Sequence, residues 1–133
     1  MSGKTTVLLA DDHPGILAAV SKYLEKHGLE VLAHARDGHE ALEQIREQLP
    51  TIALLDIRMP GMSGLDLYDR VRADPRFRSL PIVFETGTGR EHAAELRARG
   101  IATYIKKPFD LDELVRFVKR LMPPRNDNPK PAS

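Results

Sequence analysis

Apolar residues follow two periods along this chain, one typical of strands and one typical of helices. Short apolar runs predict five strands, near residues 5–10, 30–35, 51–56, 81–85 and 102–105. Between and after these runs, apolar positions recur every three or four residues, which predicts five helices. The last helix has the most regular stripe, made of Leu111, Leu114, Val115, Val118 and Leu121. Strands that alternate with helices through short connections predict an α/β fold with a parallel sheet covered on both faces.

Capping residues indicate where several of these helices begin. Pro14 is typical of a first helical position, with Asp12 or His13 before it as the cap. Ser63 is expected to cap the third helix. The fourth helix, near residues 91–99, has Leu96 as its only large apolar residue. We therefore expect this helix to be among the less stable elements, which supply the moving parts of switches.

The composition is that of one soluble domain. The chain has 133 residues, of which 41% are hydrophobic and 29% are charged. A net charge of +1 gives no reason to expect nucleic acid or a membrane as a partner. The absence of cysteine excludes disulfides, thiol catalysis and cysteine metal sites. No apolar run approaches the ~20 residues of a membrane span or suits a signal peptide, so a cytoplasmic location is expected.

The domain is predicted to cover residues 1–122. Residues 123–133 hold four prolines and lack apolar periodicity. We expect this segment to be a disordered tail or the start of a linker.

Polar side chains follow four of the five predicted strands. Asp11 and Asp12 come after the first strand, Asp56 after the third, Thr86 after the fourth and Lys107 after the fifth. In open parallel sheets, ligands bind beyond the carboxyl ends of the strands. These side chains are therefore expected to meet at one edge of the sheet.

The chemistry of this set suits a phosphoryl group and a hard cation. Three converging carboxylates repel one another unless a cation is present, and oxygen ligands suit Mg²⁺. Lys107 and Thr86 could hold the oxygens of a phosphoryl group. An Asp carboxylate can itself be a nucleophile, so the set favours phosphoryl transfer onto Asp56.

Each member of the set also has a plainer structural interpretation. Asp56 could only begin the turn before Pro60 and Gly61, and Asp11 and Asp12 could only cap the following helix. Their joint placement at strand ends favours the functional interpretation.

Four segments, taken in order, resemble the receiver domain of two-component response regulators. They are Leu9-Ala10-Asp11-Asp12-His13, Leu55-Asp56-Ile57-Arg58-Met59-Pro60-Gly61-Met62-Ser63-Gly64, Pro81-Ile82-Val83-Phe84-Glu85-Thr86 and Tyr104-Ile105-Lys106-Lys107-Pro108-Phe109. The resemblance extends from about residue 5 to residue 122. It implies a CheY-like, flavodoxin-like (βα)5 doubly wound fold with a five-stranded parallel sheet of order 2-1-3-4-5.

The resemblance also implies roles for individual residues. Asp56 would be the phosphoacceptor, and Lys107 would contact the phosphoryl group. Thr86 would be the switch hydroxyl. Tyr104 would be the aromatic residue whose rotamer changes together with the position of Thr86. A cis peptide is implied before Pro108. The Mg²⁺ ligands would be Asp11, Asp12, Asp56 and the backbone carbonyl of Arg58.

The chain departs from the family pattern at several positions near the site. Glu85 stands where an apolar residue is common, and we expect it to be an exposed strand end. Arg58 and Thr88 occupy positions that modulate the lifetime of the phosphoryl group in the family, and Arg58 is expected to slow hydrolysis. His13 is expected to have only a loop or capping part.

The function implied is a phosphorylation-activated response regulator in a two-component phosphorelay, and not an enzyme. It would receive its phosphoryl group from a sensor histidine kinase or a histidine phosphotransfer protein, with self-catalysed transfer and dephosphorylation. Signalling would use the face of the fourth helix, fifth strand and fifth helix, and a homodimer would form through the same face. No direct contact with nucleic acid or membrane is expected.

Three other functions are less compatible with these residues. A phosphatase of the haloacid dehalogenase type has a second Asp two residues after its nucleophile, where this chain has Arg58. A flavodoxin needs a phosphate-binding loop after the first strand, where Asp11 and Asp12 would repel the phosphate. A receiver-like protein that only binds partners would not need the full set of site residues.

Overall fold

A parallel β-sheet forms the centre of the protein in the computed structural model, which describes residues 5–87 and 92–122. Within these residues the sheet has five strands in the order β2-β1-β3-β4-β5, as predicted. The strands are β1 (Thr6–Ala10), β2 (Glu30–Ala35), β3 (Ile52–Asp56), β4 (Ile82–Thr86) and β5 (Tyr104–Lys106). The helices are α1 (Pro14–Lys26), α2 (Gly38–Gln48), α3 (Gly64–Ala73), α4 (Ala93–Ala98) and α5 (Leu111–Leu121), with a 3₁₀ turn at Pro75–Phe77 after α3.

Both faces of the sheet are covered by helices, as the continuous apolar strands predicted. Alternate residues of β3 point to opposite faces, so Leu55 joins the core beneath α2 and α3 while Leu54 joins the core beneath α1 and α5. Every residue of β3 and β4 is buried. A polar residue at the end of either strand is therefore held in place by packed neighbours.

The helix caps agree in part with the predictions. Ser63 caps α3, because its side chain accepts a hydrogen bond from the amide of Asp66. Helix α1 begins at Pro14 with His13 as the N-cap residue, but no side chain caps it. Asp11 instead accepts a hydrogen bond from the amide of His13, at 3.0 Å. The carboxylates after β1 are therefore not simple helix caps.

A close backbone approach joins the end of β3 to the start of α3. The amide of Gly64 donates to the carbonyl of Ile57 at 2.8 Å. A Cβ at Gly64 would lie 2.5 Å from the backbone oxygen of Asp56, which leaves no room for a side chain. This contact fixes the backbone of Asp56.

The structure shifts the predicted bounds of the fourth helix and fifth strand. Helix α4 has only six residues, shorter than the predicted segment 91–99, and residues 88–91 lie outside the described part of the chain. Strand β5 starts two residues later than predicted, because its ladder pairs Tyr104 with Phe84 and Lys106 with Thr86. Before β5, the Thr103 hydroxyl donates to the Ile82 carbonyl at 2.6 Å.

No helix in residues 5–87 and 92–122 is long and apolar enough to cross a membrane. The proline-rich segment 123–133, predicted to be a tail or linker, lies outside the described residues.

Candidate functional site

The carboxyl ends of three strands bring two carboxylates and one ammonium group into contact. Asp11 follows β1, Asp56 ends β3, and Lys107 follows β5. The Nζ of Lys107 lies 3.0 Å from Oδ2 of Asp56 and 3.4 Å from Oδ2 of Asp11. Asp56 is only 5% exposed and Asp11 only 2%. Because both carboxylates are buried, their contacts with Lys107 belong to the packed interior of the protein.

The other oxygen of Asp56 is held by the following turn. Its Oδ1 accepts a hydrogen bond from the amide of Arg58 at 3.2 Å. Arg58 also lines the open cavity beside Asp56. The Asp56 carboxylate is thus oriented by Lys107 on one oxygen and by the backbone on the other.

The acidic residues at this edge form a group whose chemistry fits a divalent cation. Asp11, Asp12, His13 and Asp56 each offer one ligand atom, and these atoms lie within 4.8 Å of one another. Three of the four offer carboxylate oxygens, which are the ligands that Mg²⁺ prefers. The donor set therefore fits Mg²⁺, and it also contains one imidazole nitrogen.

Burial and charge move the pKa values of the two buried aspartates in opposite directions. Burial raises the pKa of Asp56, and the hydrogen bond and charge of Lys107 oppose this effect without cancelling it. Burial also acts to raise the pKa of Asp11, but hydrogen bonds from His13 and the charge of Lys107 outweigh it, so that this pKa is lowered. Burial acts to lower the pKa of Lys107, yet its hydrogen bond with Asp56 and the surrounding carboxylates raise it. Lys107 therefore stays charged.

The backbone around Lys107 follows the expectation from the sequence. The Lys107–Pro108 peptide is cis. The amide of Lys107 donates to the carbonyl of Thr86 at 2.7 Å, which ties this loop to the end of β4.

Thr86 and Tyr104 lie in different environments. Thr86 is buried at the end of β4, and its hydroxyl has no hydrogen-bond partner among the described residues. Tyr104, at the start of β5, is 38% exposed. The hydroxyl of Thr86 therefore keeps an unused hydrogen-bonding capacity at the end of β4. Thr88 lies outside the described residues.

The expectation that Glu85 would be an exposed strand end was wrong. Glu85 is 3% exposed and borders a small void with Leu17 and Val20 of α1. Burial, followed by the negative charge of Asp11, raises the pKa of Glu85 to about 8. The signal was present in the sequence, because β4 is an inner strand and α1 and α5 cover the face that Glu85 shares with Val83.

Two histidines were not identified as site residues from the sequence. The ring of His13 faces the acidic group, with Nδ1 at 2.9 Å from Asp11 and 3.0 Å from Asp12. His92, the N-cap residue of α4, lines the same cavity as Asp56. This open cavity has a volume of about 850 Å³ and extends from the carboxylates towards Arg99. The spacing of residues in the sequence does not show which side chains turn toward the site.

Comparison with known proteins gives one family. The sequence profile described as "Response regulator receiver domain" matches residues 7–119. The response regulator Rre1 of Synechocystis is 34% identical over 123 residues, which is 92% of this chain and 53% of that protein. Sporulation initiation phosphotransferase F of Bacillus subtilis is 29% identical over 118 residues, 88% of this chain and 93% of that protein. The chain thus spans about half the length of relatives such as Rre1.

Solved structures agree with the sequence matches. A putative response regulator from Chloroflexus aurantiacus superposes with a TM-score of 0.82 at 35% identity, covering 90% of this chain and 98% of that one. The chemotaxis response regulator CheY4 of Vibrio cholerae gives a TM-score of 0.80 at 30% identity, covering 89% and 98%. The flavodoxin-like fold class is confirmed. Because the profile matches most of the chain and the fold is that of its members, the chain belongs to the response regulator receiver family of two-component systems.

Proposed function

We propose that this protein is a phosphorylation-activated receiver in which Asp56 accepts the phosphoryl group. The observation that carries the proposal is the buried Asp56 carboxylate, held 3.0 Å from Lys107 at the carboxyl edge of the sheet. Receiver domains are signalling modules that take phosphoryl groups from histidine kinases or phosphotransfer proteins. For this chain the donor is a sensor histidine kinase or a histidine phosphotransfer protein.

Asp56 acts as the nucleophile. One of its oxygens forms the new P–O bond as the P–N bond to the donor histidine breaks, and that imidazole leaves with the electron pair of the broken bond. Lys107 then pairs with a phosphoryl oxygen in place of the carboxylate oxygen that it now contacts. The amide of Arg58 holds Oδ1 during the transfer, so the carboxylate needs little reorganisation.

The acidic residues beside Asp56 would hold a divalent cation. Receiver domains bind Mg²⁺ at such an acidic cluster. In this chain Asp11, Asp12, Asp56 and the backbone carbonyl of Arg58 would hold it. When bound, the ion neutralises charge on the transferring phosphoryl oxygens.

The unpaired hydroxyl of Thr86 carries the signal away from Asp56. It donates to a phosphoryl oxygen on Asp56, and the side chain of Tyr104, now 38% exposed, then changes its rotamer. The output face is α4-β5-α5, which also serves as the surface of a possible homodimer. Arg58 and Thr88 set the lifetime of the phosphoryl group, which the protein itself transfers and hydrolyses in the cytoplasm.

Intact mass after incubation with acetyl phosphate and Mg²⁺ tests the proposal. The wild-type chain gains the mass of one phosphoryl group, and Asp56→Asn gains none because an amide is not a nucleophile here. Asp112→Asn, an exposed carboxylate on α5, serves as the matched control and is labelled like the wild type. Equal labelling of Asp56→Asn and the control would overturn the proposal.

A further inference from the structure

His13 is the one member of the acidic group that the proposed function does not use. It is the N-cap residue of α1, but its side chain makes no cap hydrogen bond. The side chain is 61% exposed, yet its Nδ1 lies 2.9 Å from Oδ1 of Asp11 and 3.0 Å from Oδ1 of Asp12. An exposed ring turned toward two carboxylates requires an explanation beyond packing.

The spacing of these donor atoms matches that of neighbouring ligands around a small cation. Octahedral bonds of about 2.1 Å place adjacent ligands about 3.0 Å apart. Both distances from Nδ1 of His13 agree with this value. The ligand atom of Asp56 completes a group within 4.8 Å. The ring nitrogen is thus positioned as one ligand of the same ion.

The neighbourhood of this group is rich in acidic side chains. Glu85 pairs with Asp56 in the β3–β4 ladder, and its buried Oε1 has no hydrogen-bond partner among the described residues. Lys107 is the ammonium group that contacts both Asp11 and Asp56. The three aspartates of the group outnumber this one lysine, which favours a second cationic centre.

We propose that His13 is a nitrogen ligand of the metal site, so that the site prefers first-row transition-metal cations such as Mn²⁺ or Co²⁺ to Mg²⁺. This inference rests on the metal site of the proposed function. Mg²⁺ is bound through oxygen, whereas imidazole suits borderline cations, whose affinities rise from Mn²⁺ through Co²⁺ to Ni²⁺. His13 therefore sets which divalent cation supports the chemistry of Asp56.

A competing explanation makes the opposite prediction. If the ring only neutralises Asp11 and Asp12 in the metal-free protein, any cation must displace it. Removing the ring would then strengthen the binding of every divalent cation by a similar factor. A ligand role predicts instead a selective loss for the nitrogen-preferring cations.

Calorimetric titration of the full chain with Mg²⁺, Mn²⁺, Co²⁺ and Ni²⁺, at about pH 8 and without a phosphodonor, separates the two. We expect His13→Leu to lower the ratio of Ni²⁺ to Mg²⁺ affinity at least about tenfold, because even the loss of a group that only orients a ligand costs about 10- to 100-fold in metal affinity. His34→Leu, at an exposed position on β2, is the matched control and keeps the wild-type ratio. Thermal unfolding verifies that both variants are folded.

Electron spin-echo spectra of the Mn²⁺-loaded protein give a direct measurement. We expect nitrogen modulation from a bound imidazole in the wild type and in His34→Leu, and its loss in His13→Leu. A uniform shift of all four affinities, or no nitrogen signal in the wild type, would overturn the inference. If Asp56 is still labelled by acetyl phosphate with Mg²⁺, only the role of His13 fails. If Asp56 is not labelled under any of the four cations, the proposed function fails with it.

Discussion

The two carboxylates that contact Lys107 differ in pKa and therefore in chemical role. Lys107 lies closer to Asp56 than to Asp11, yet the pKa of Asp56 is raised and that of Asp11 is lowered. The difference arises because Asp11 also accepts hydrogen bonds from the amide and ring of His13. A carboxylate with a raised pKa is more basic, which suits Asp56 as a nucleophile, whereas Asp11 stays ionised to attract a cation.

The buried Glu85 makes the free energy of unfolding of the protein depend on pH. Its pKa is about 8 in the folded protein and near 4.5 when exposed. Between these values the folded state holds a proton that the unfolded state has released. The contribution of Glu85 to the free energy of unfolding therefore falls as pH rises, by up to about 1.4 kcal/mol per pH unit.

Denaturant unfolding of the wild type and Glu85→Gln from pH 5 to about 9, in the presence of a chelator, checks this. The wild type is expected to lose stability relative to the variant up to pH 8, because glutamine stays neutral. Glu113→Gln, at an exposed position on α5, should run parallel to the wild type. Parallel curves for Glu85→Gln as well would contradict the buried, protonated state.

Arg58 lines the cavity beside Asp56 and is expected to shield the acyl phosphate from water. Arg58→Ala should therefore dephosphorylate about three- to tenfold faster, which is up to about 1.4 kcal/mol of barrier. The decay of the phosphorylated mass after removal of acetyl phosphate gives the rate. Arg116→Ala on α5 is the control, and an unchanged or slower decay in Arg58→Ala would contradict the shielding role.

At the scale of elements, α4 is the least firmly attached helix of the described chain. It has six residues and buries one large side chain, Leu96, whereas α5 buries three apolar residues. A bidentate ion pair fastens its C-terminal end to α3, with Nε and Nη2 of Arg99 each 2.9 Å from an Asp69 oxygen. Exposed pairs are worth only ~0.2–1 kcal/mol, so α4 stays easy to displace.

Amide hydrogen exchange of α4 tests this attachment. Arg99→Ala is expected to speed exchange in Ala93–Ala98 about two- to fivefold, because the ion pair no longer ties α4 to α3. Asp69→Asn should have the same effect, and the double variant should add little to either. Arg97→Ala, on the same helix, serves as the control. An equal acceleration in the control would show that the loss of a positive charge near the C-terminal end of α4, and not the ion pair, is responsible.

For the whole molecule, the main features of the fold could be predicted, while the details depended on contacts between loops. The continuous apolar runs of β3 and β4 predicted a sheet covered on both faces, and the resemblance supplied the strand order. Residues at strand ends converge because parallel strands share one edge. The burial of Glu85 was missed although the inner position of β4 indicates it. The approach of the His13 ring to Asp11 was missed because it depends on the conformation of the loop after β1, which the pattern of residues does not give.

Phosphorylation is expected to alter the molecule beyond the site. Thr86 is the last residue of β4. When its hydroxyl moves toward a phosphoryl group on Asp56, it shifts a pre-existing conformational equilibrium of α4 and β5. We expect beryllofluoride with Mg²⁺, a phosphoryl mimic, to change amide exchange in Ala93–Ala98 and Tyr104–Lys106 more than in Gly38–Gln48. Asp56→Asn should not respond, and identical exchange with and without the mimic would contradict the switch.

The contacts of Lys107 also determine at what point during synthesis the site becomes complete. Lys107 contacts residues that precede it by 51 and 96 positions. During synthesis on the ribosome, Asp11 and Asp56 emerge long before the lysine that pairs with them. Until Lys107 emerges and the loop after β5 packs onto the sheet, Asp56 lacks the ammonium group that contacts it in the folded domain. A nascent or truncated chain that ends before Lys107 is therefore a poor acceptor, and competence to receive the signal reports that the domain has been completed.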